Sequence, residues 1–249
     1  MTTRFRIKAA GSTNVGLVRS ANEDSMVLRE DAGVWVVADG MGGHENGQWA
    51  SNAIIDAVGQ TSFSGNFDAD VTALADAVHA ANARIHDTAV SRGGRMGSTV
   101  VALHMSGDRF ACLWAGDSRI YLLRGGELYR LTRDHTQVQE LVDRQLMTPE
   151  EADHHPMSHV LSRAVGVQAE LQLDVISDTA LPRDVFLLCS DGLTGVVSDP
   201  EIAERLSTLS IEAACRRLTE LVLARGAPDN VTMVAVACEE MTALALQPA

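Results

Sequence analysis

The residues of this chain that could do chemistry are acids placed where apolar runs stop. Val34-Trp35-Val36-Val37-Ala38 runs into Asp39-Gly40-Met41-Gly42-Gly43. Leu187-Leu188-Cys189 runs into Ser190-Asp191-Gly192, and Leu113-Trp114-Ala115 into Gly116-Asp117-Ser118. Short apolar runs rich in β-branched residues read as buried strands. The glycine beside each acid permits a sharp turn or the close approach of another backbone. Asp229 comes just ahead of the apolar run 231–237, and Glu23-Asp24 just ahead of another β-like stretch. A single Asp-Gly is a tight turn capped by its own carboxylate. Its recurrence points to a second reading: carboxylates and freed carbonyls, on loops held by a rigid sheet, converging on a hard cation. Acid oxygens without clustered His or Cys suit Mg²⁺ or Mn²⁺ rather than Zn²⁺. Spacing leaves both readings open, because convergence requires a fold.

Composition narrows the class. The chain has 249 residues, 46% hydrophobic and 21% charged, enough for one large globular domain with a substantial core. The net charge is −13 with no Lys/Arg cluster, which argues against a nucleic-acid partner. So much acid suits either a solvated surface or carboxylates that share metal charge. The four cysteines form no Cys-x-x-Cys pair, and Cys112, Cys189 and Cys238 lie inside apolar runs. That pattern predicts a reducing compartment without disulfides or a thiolate zinc site. Neither a secretory h-region nor a run long enough to span a membrane is present, so a cytoplasmic location is expected.

The acids need elements to carry them. Periodicity predicts helices over 45–58 and 71–85, the second capped by Asp68 or Asp70 and ended by Ser91-Arg92-Gly93-Gly94. Strands are expected over 99–105, 110–115, 120–123 and 128–131, with turns at Ser106-Gly107-Asp108 and Arg124-Gly125-Gly126. Helices are expected over 136–144 and from Thr148-Pro149-Glu150-Glu151, which has the pattern of a capping box, and 160–165 reads as a helical turn. After the strand 184–189, helices start at Asp199-Pro200 and at Ser210, and the last strand covers 231–237. No linker or repeat divides the chain, so residues 1–240 read as one domain and 241–249 as a tail.

Taken in order, these pieces resemble the metal-dependent protein phosphatases of the PPM (type 2C) family, in their bacterial form. The resemblance rests on Gly16-Leu17-Val18-Arg19 with Asn22-Glu23-Asp24, Asp39-Gly40-Met41-Gly42-Gly43-His44, and Met96-Gly97-Ser98-Thr99. It continues through Gly116-Asp117-Ser118-Arg119, Asp134-His135, Ser190-Asp191-Gly192-Leu193 and Asp229-Asn230-Val231-Thr232, and so spans nearly the whole chain. It implies an α+β fold: a central β-sandwich of two antiparallel sheets flanked by helices. It implies that Asp39 bridges two Mn²⁺ or Mg²⁺ ions, that the Gly40 carbonyl binds one, and that Asp191 and Asp229 complete the second. Asp117 with Asp191 would hold a third, weaker ion. Asp24 and Glu23 would orient the waters of the metals, Arg19 would grip the substrate phosphate, and His44 would protonate the leaving group.

That assignment is chemically coherent. Divalent cations lower the pKa of water enough to supply a nucleophile near neutral pH, and a guanidinium offsets charge on the phosphoryl oxygens. The implied activity is hydrolysis of phosphoserine and phosphothreonine on proteins, opposing a bacterial Ser/Thr kinase. A catalytically silent phosphoprotein-binding regulator and a small-molecule phosphoesterase are the alternatives. No cysteine has Arg six positions on, and no Asp-x-Asp follows a strand, so covalent phosphatase signatures are missing. Two departures from the family pattern stand out: Gln48 in place of Glu, and Ser98 in place of Thr. The segment 145–165, with His159 and Ser162, corresponds to a variable flap beside the site in bacterial relatives.

Overall fold

The computed structural model describes residues 5–43, 45–153 and 155–240. His44 and the expected tail 241–249 lie outside the described residues. In chain order the strands and helices are β1 (Phe5–Asn14), β2 (Asp24–Arg29), β3 (Val34–Met41), α1 (Glu45–Gln60), α2 (Phe67–Arg92), β4 (Gly97–Ser98), β5 (Val100–Ser106) and β6 (Arg109–Ala115). They continue with β7 (Arg119–Arg124), β8 (Glu127–Arg130), α3 (Gln137–Asp143), α4 (Pro149–Asp153), β9 (Asp174–Thr179), β10 (Val185–Cys189), α5 (Asp191–Thr194), α6 (Asp199–Thr208), α7 (Ile211–Ala224) and β11 (Val231–Glu240).

Two antiparallel sheets result, with strand orders β1-β11-β10-β7-β8 and β2-β3-β5-β6-β9, as the resemblance implies. Alternation along β3 shows why its sequence is apolar throughout. Trp35 and Val37 face the layer between the sheets, with Leu103, Phe186, Leu188 and Val234. Val34, Val36 and Ala38 face the other way, into a layer made with Ile54 of α1 and Leu74, Val78 and Ile85 of α2. The second sheet does the same: Leu187, Met233 and Ala235 turn outward onto Ile202, Leu218 and Val222 of α6 and α7. Each face of each central strand is covered, so period-two polarity is lost. Each fully buried Leu or Phe contributes about 2 kcal/mol of burial free energy.

The row that faces between the sheets changes character at one end. Met26 and Leu28 pack into that layer, and Asp24 continues their row on β2. Asp39 continues the row of Trp35 and Val37 and pairs in register with Asp24. Ser190 follows Phe186 and Leu188, and Thr232 precedes Val234 and Val236. The inner layer thus ends in polar side chains, and this end carries the acids.

Three readings of the sequence are corrected. The cap of α2 is Asn66, whose side chain accepts from Ala69 N–H at 3.1 Å. Asp70 instead holds the preceding loop, accepting from Ser64 N–H at 2.6 Å and Gly65 N–H at 2.8 Å. Residues 160–165 are extended, not helical: Ser98 bridges Val165, and Thr136 bridges Leu161. Here pairing to another part of the chain overrides a local preference, and β-branched Val160 and Val165 favour the outcome. Finally, β9 has no counterpart in the sequence reading. It is an edge strand, largely exposed, whose Asp174-Val175-Ile176-Ser177-Asp178-Thr179 lacks an apolar run.

Asn82 of α2 fixes where residues 165–169 lie. It is buried, accepts from Gly166 N–H at 2.6 Å, and donates to the carbonyls of Gln168 and Ala169, each at 3.1 Å. Asn82→Ala should lower stability by about 1–3 kcal/mol, since it strands the buried Gly166 N–H, and urea denaturation will measure the loss.

Candidate active site

One cavity of about 410 Å³ gathers the predicted residues from far-apart parts of the chain. Arg19, Glu23, Asp39, Gly40, Asp117, Asp191 and Asp229 all line it. Asp24 lies buried beneath, and only His44 falls outside the described residues.

Each acid is held by backbone geometry. Asp39 N–H donates to Thr99 Oγ1 at 3.1 Å, and the Asp39 carbonyl accepts from Thr99 N–H at 2.8 Å and Ser98 Oγ at 2.9 Å. Ser98, one of the two departures, therefore keeps a hydroxyl on the Asp39 backbone. Asp191 starts α5, directly after Ser190. The Ser190 hydroxyl donates to Asp24 Oδ2 at 2.8 Å and accepts from Thr232 N–H at 3.0 Å. Asn230 accepts from Glu23 N–H at 2.8 Å and donates to the carbonyls of Val15 and Ala21, which anchors Asp229 beside the Arg19 loop. Arg19 pairs with Asp229 at 2.6 Å on the cavity rim.

The glycines of the two Asp-Gly pairs serve close approach. A Cβ on Gly40 would meet the Gly47 carbonyl oxygen at 2.1 Å, and one on Gly192 would meet the Asn230 carbonyl oxygen at 1.8 Å. Neither has space for any side chain, so two elements touch through bare backbone.

The electrostatics are dominated by repulsion. Burial, followed by Asp24, Asp191, Asp117 and Asp229, pushes the Asp39 carboxyl well above the usual carboxylate range. Asp191 is raised by burial and by Asp229. Burial and neighbouring acids push Asp24 and Asp117 each up to about 7. Asp24 Oδ1 is buried without a hydrogen-bond partner. Crowded carboxylates, a bare carboxylate oxygen and the Gly40 backbone form an all-oxygen donor set, which fits a hard divalent cation. By contrast, burial pushes the nearby Cys189 thiol up to about 12, so it is no nucleophile at neutral pH.

Sequence reasoning named Asp134-His135 only as part of a motif, and the structure gives His135 a task. Gly116 N–H donates to His135 Nδ1 at 3.1 Å, and His135 N–H donates to the Gly116 carbonyl at 2.9 Å. The ring stacks on Trp114, and its Nε2 faces Asp174 Oδ2 at 3.3 Å. With Nδ1 accepting, Nε2 is the nitrogen left to carry the proton of a neutral ring, and it lies 3.3 Å from Asp174 Oδ2 and 3.1 Å from Arg163 Nη1. Arg163, from the flap, binds the same Asp174 at 2.6 Å. The loop bearing Asp117 is thereby tied to the base of the flap. No local pattern in the sequence marks Asp174 or Arg163 for this role.

The raised carboxyls give a pH dependence with a definite sign. Asp24 and Asp117 take up protons more readily in the folded chain than the ordinary value of about 4. Their contribution is present below about pH 4 and lost as pH rises towards 7. In EDTA, the melting temperature should therefore fall between pH 5 and pH 8. Added Mn²⁺ should restore more of it at pH 8 than at pH 5, which thermal melts at several pH values will test.

Comparisons with known proteins agree with this geometry. The family model "Protein phosphatase 2C" matches residues 18–229. The chain is 39% identical over 231 residues to the serine/threonine protein phosphatase PstP of Mycobacterium tuberculosis, covering 92% of this chain and 44% of that relative. It thus spans less than half the length of that protein. Among solved structures, PppA, described as a key regulatory component of T6SS in Pseudomonas aeruginosa, superposes with a TM-score of 0.87 at 44% identity, covering 93% of this chain and 97% of that one. A catalytic domain of PstP solved in complex with 2 manganese ions superposes with a TM-score of 0.84 at 37% identity, covering 94% and 99%. A match of this extent, on a fold that brings the motif acids to one cavity, means that the chain belongs to the protein phosphatase 2C family.

Proposed function

We propose that this chain is a metal-dependent protein serine/threonine phosphatase. The observation that carries the reading is the meeting of Asp39, Asp117, Asp191 and Asp229 in one cavity with Arg19 at its rim. Asp39, the Gly40 carbonyl, Asp191 and Asp229 would hold two core Mn²⁺ or Mg²⁺ ions, and Asp117 with Asp191 a third, weaker one. Such ions supply Lewis-acid charge and a low-pKa water.

The other tasks fall to the chain itself. The Arg19 guanidinium, paired with Asp229 at the rim, would receive phosphoryl oxygens and neutralise charge as they become equatorial. Glu23 and Asp24 orient water from the wall and floor of the cavity. His44 is the proposed proton donor to the seryl or threonyl oxygen, a role that rests on its place in the Asp39–His44 motif. Buried carbons under the cavity keep bulk water from the floor and strengthen each charge interaction. The substrates would be phosphoserine and phosphothreonine proteins, opposite a cognate Ser/Thr kinase. The four buried, unpaired cysteines support a reducing, cytoplasmic setting. Among the described residues, no helix is long and apolar enough to cross a membrane.

Phosphate release from a phosphothreonine peptide with Mn²⁺, and again with chelator, tests the proposal. Equal rates would refute metal dependence. Tight peptide binding without turnover would indicate a regulator, and preference for nucleotides over peptides a small-molecule phosphoesterase. Asp39→Asn and Asp191→Asn should each lower kcat/KM about 100-fold or more, because each removes ligand charge worth several kcal/mol. Arg19→Ala should act chiefly on KM, raising it about tenfold or more through the lost charge-assisted hydrogen bonds. Steady-state kinetics separate the two patterns.

A further inference from the structure

The flap brings an imidazole to the acids. Ligand atoms of Asp117, His159 and Asp191 lie within 4.8 Å of one another, with His159 Nδ1 at 3.8 Å from Asp191 Oδ2. We propose that His159 is a third protein ligand to the divalent cation held by Asp117 and Asp191, so that this position prefers Mn²⁺ to Mg²⁺ and fastens the flap. The inference rests on the phosphatase reading and adds to it a ligand, a metal preference and a coupling.

Three observations support it. First, the backbone on either side of His159 is fixed while its ring is free to turn. Gln137 N–H donates to the Val160 carbonyl at 2.9 Å, Val160 N–H to the Met157 carbonyl at 3.0 Å, and Ser162 N–H to the His135 carbonyl at 2.9 Å. The His159 side chain is 75% exposed, so its ring can rotate onto a cation without moving the chain. Second, the three residues stand where two cavities join. All three line both the active-site cavity and a second one of about 750 Å³ between the flap and the α5–α6 turn. A hydrated ion therefore has a path to them. Third, Arg119, two residues on from Asp117, is engaged by Asp134 at 2.7 Å rather than by Asp117 or Asp191.

The chemistry then sets the preference. Mg²⁺ favours oxygen ligands and sheds water reluctantly, whereas Mn²⁺ accepts imidazole nitrogen beside carboxylates. The core donor set offers oxygen alone, so the mixed face of Asp117, Asp191 and His159 should discriminate more strongly. Because the ligand comes from the flap, an ion bound there steadies the flap, and a steadier flap favours the ion.

Mn²⁺ titration of the full chain, followed by calorimetry and by electron paramagnetic resonance, tests this without reference to turnover. The wild type should bind two ions tightly and one more weakly. His159→Ala should keep the two tight ions and weaken the third about tenfold or more, as loss of a ligand or its support does. Competition with Mg²⁺ should show a Mn²⁺ preference at the weak site that disappears in His159→Ala. Mn²⁺ at the weak-site concentration should also slow trypsin cleavage at Arg144 in the wild type and not in the variant. An unchanged third affinity, or an unchanged Mn²⁺/Mg²⁺ ratio, overturns the proposal while leaving the core ions and the phosphatase reading intact. Absence of any bound Mn²⁺ in the wild type overturns both.

Discussion

Carboxylates that repel one another, forced into one half-buried cavity, are the constraint on which this structure depends. Asp39 is pressed by burial and by Asp24, Asp191, Asp117 and Asp229. Left to themselves these groups would separate or take up protons. The sandwich resists separation because it anchors three of the acids directly. Asp39 is pinned through both its N–H and its carbonyl, Asp24 through Ser190, and Asp229 through the Asn230 anchor. A rigid fold that holds like charges together is under a stress that a divalent cation removes, which is why the donor set and the strain have one explanation.

The sandwich does this with an economical device. The row of side chains between the sheets is apolar for most of its length and polar at one end. Trp35 and Val37 give way to Asp39, Met26 and Leu28 to Asp24, and Phe186 and Leu188 to Ser190. Burial of the apolar part fixes the register of every strand, and register fixes which oxygens meet. The core thus determines the geometry of the site from below. The bare backbones at Gly40 and Gly192 let α1 and the β11 entry close in on it from the sides.

A second tier joins the site to the flap. His135 exchanges bonds with Gly116, next to Asp117, while Asp174 holds both His135 and the flap residue Arg163. The flap is therefore tied near its base through Arg163, four residues on from His159. This arrangement allows the position of the flap and the charge at Asp117 to influence one another.

Much of this was legible in the sequence, for definite reasons. The apolar runs at 34–38 and 187–189 end at their acids in the chain itself, and the order of motifs from Arg19 to Asp229 marks the family. Helices α6 and α7 announce their starts through Asp199-Pro200 and Ser210. The misreadings fell where local preference is weak and tertiary pairing decides. Residues 160–165 become extended by bridging Ser98 and Thr136, and the polar edge strand β9 exists because β6 offers it a partner. The sequence by itself determined which residues are acidic, which runs are buried and where the glycines stand. Only the tertiary structure decided that Asp39, Asp117, Asp191 and Asp229 share one cavity with His159 in its lining and Asp24 beneath, and that His135 and Asp174 tie the Asp117 loop to the flap. Proximity across two hundred residues is a property of strand register and sheet packing, and no local pattern carries it.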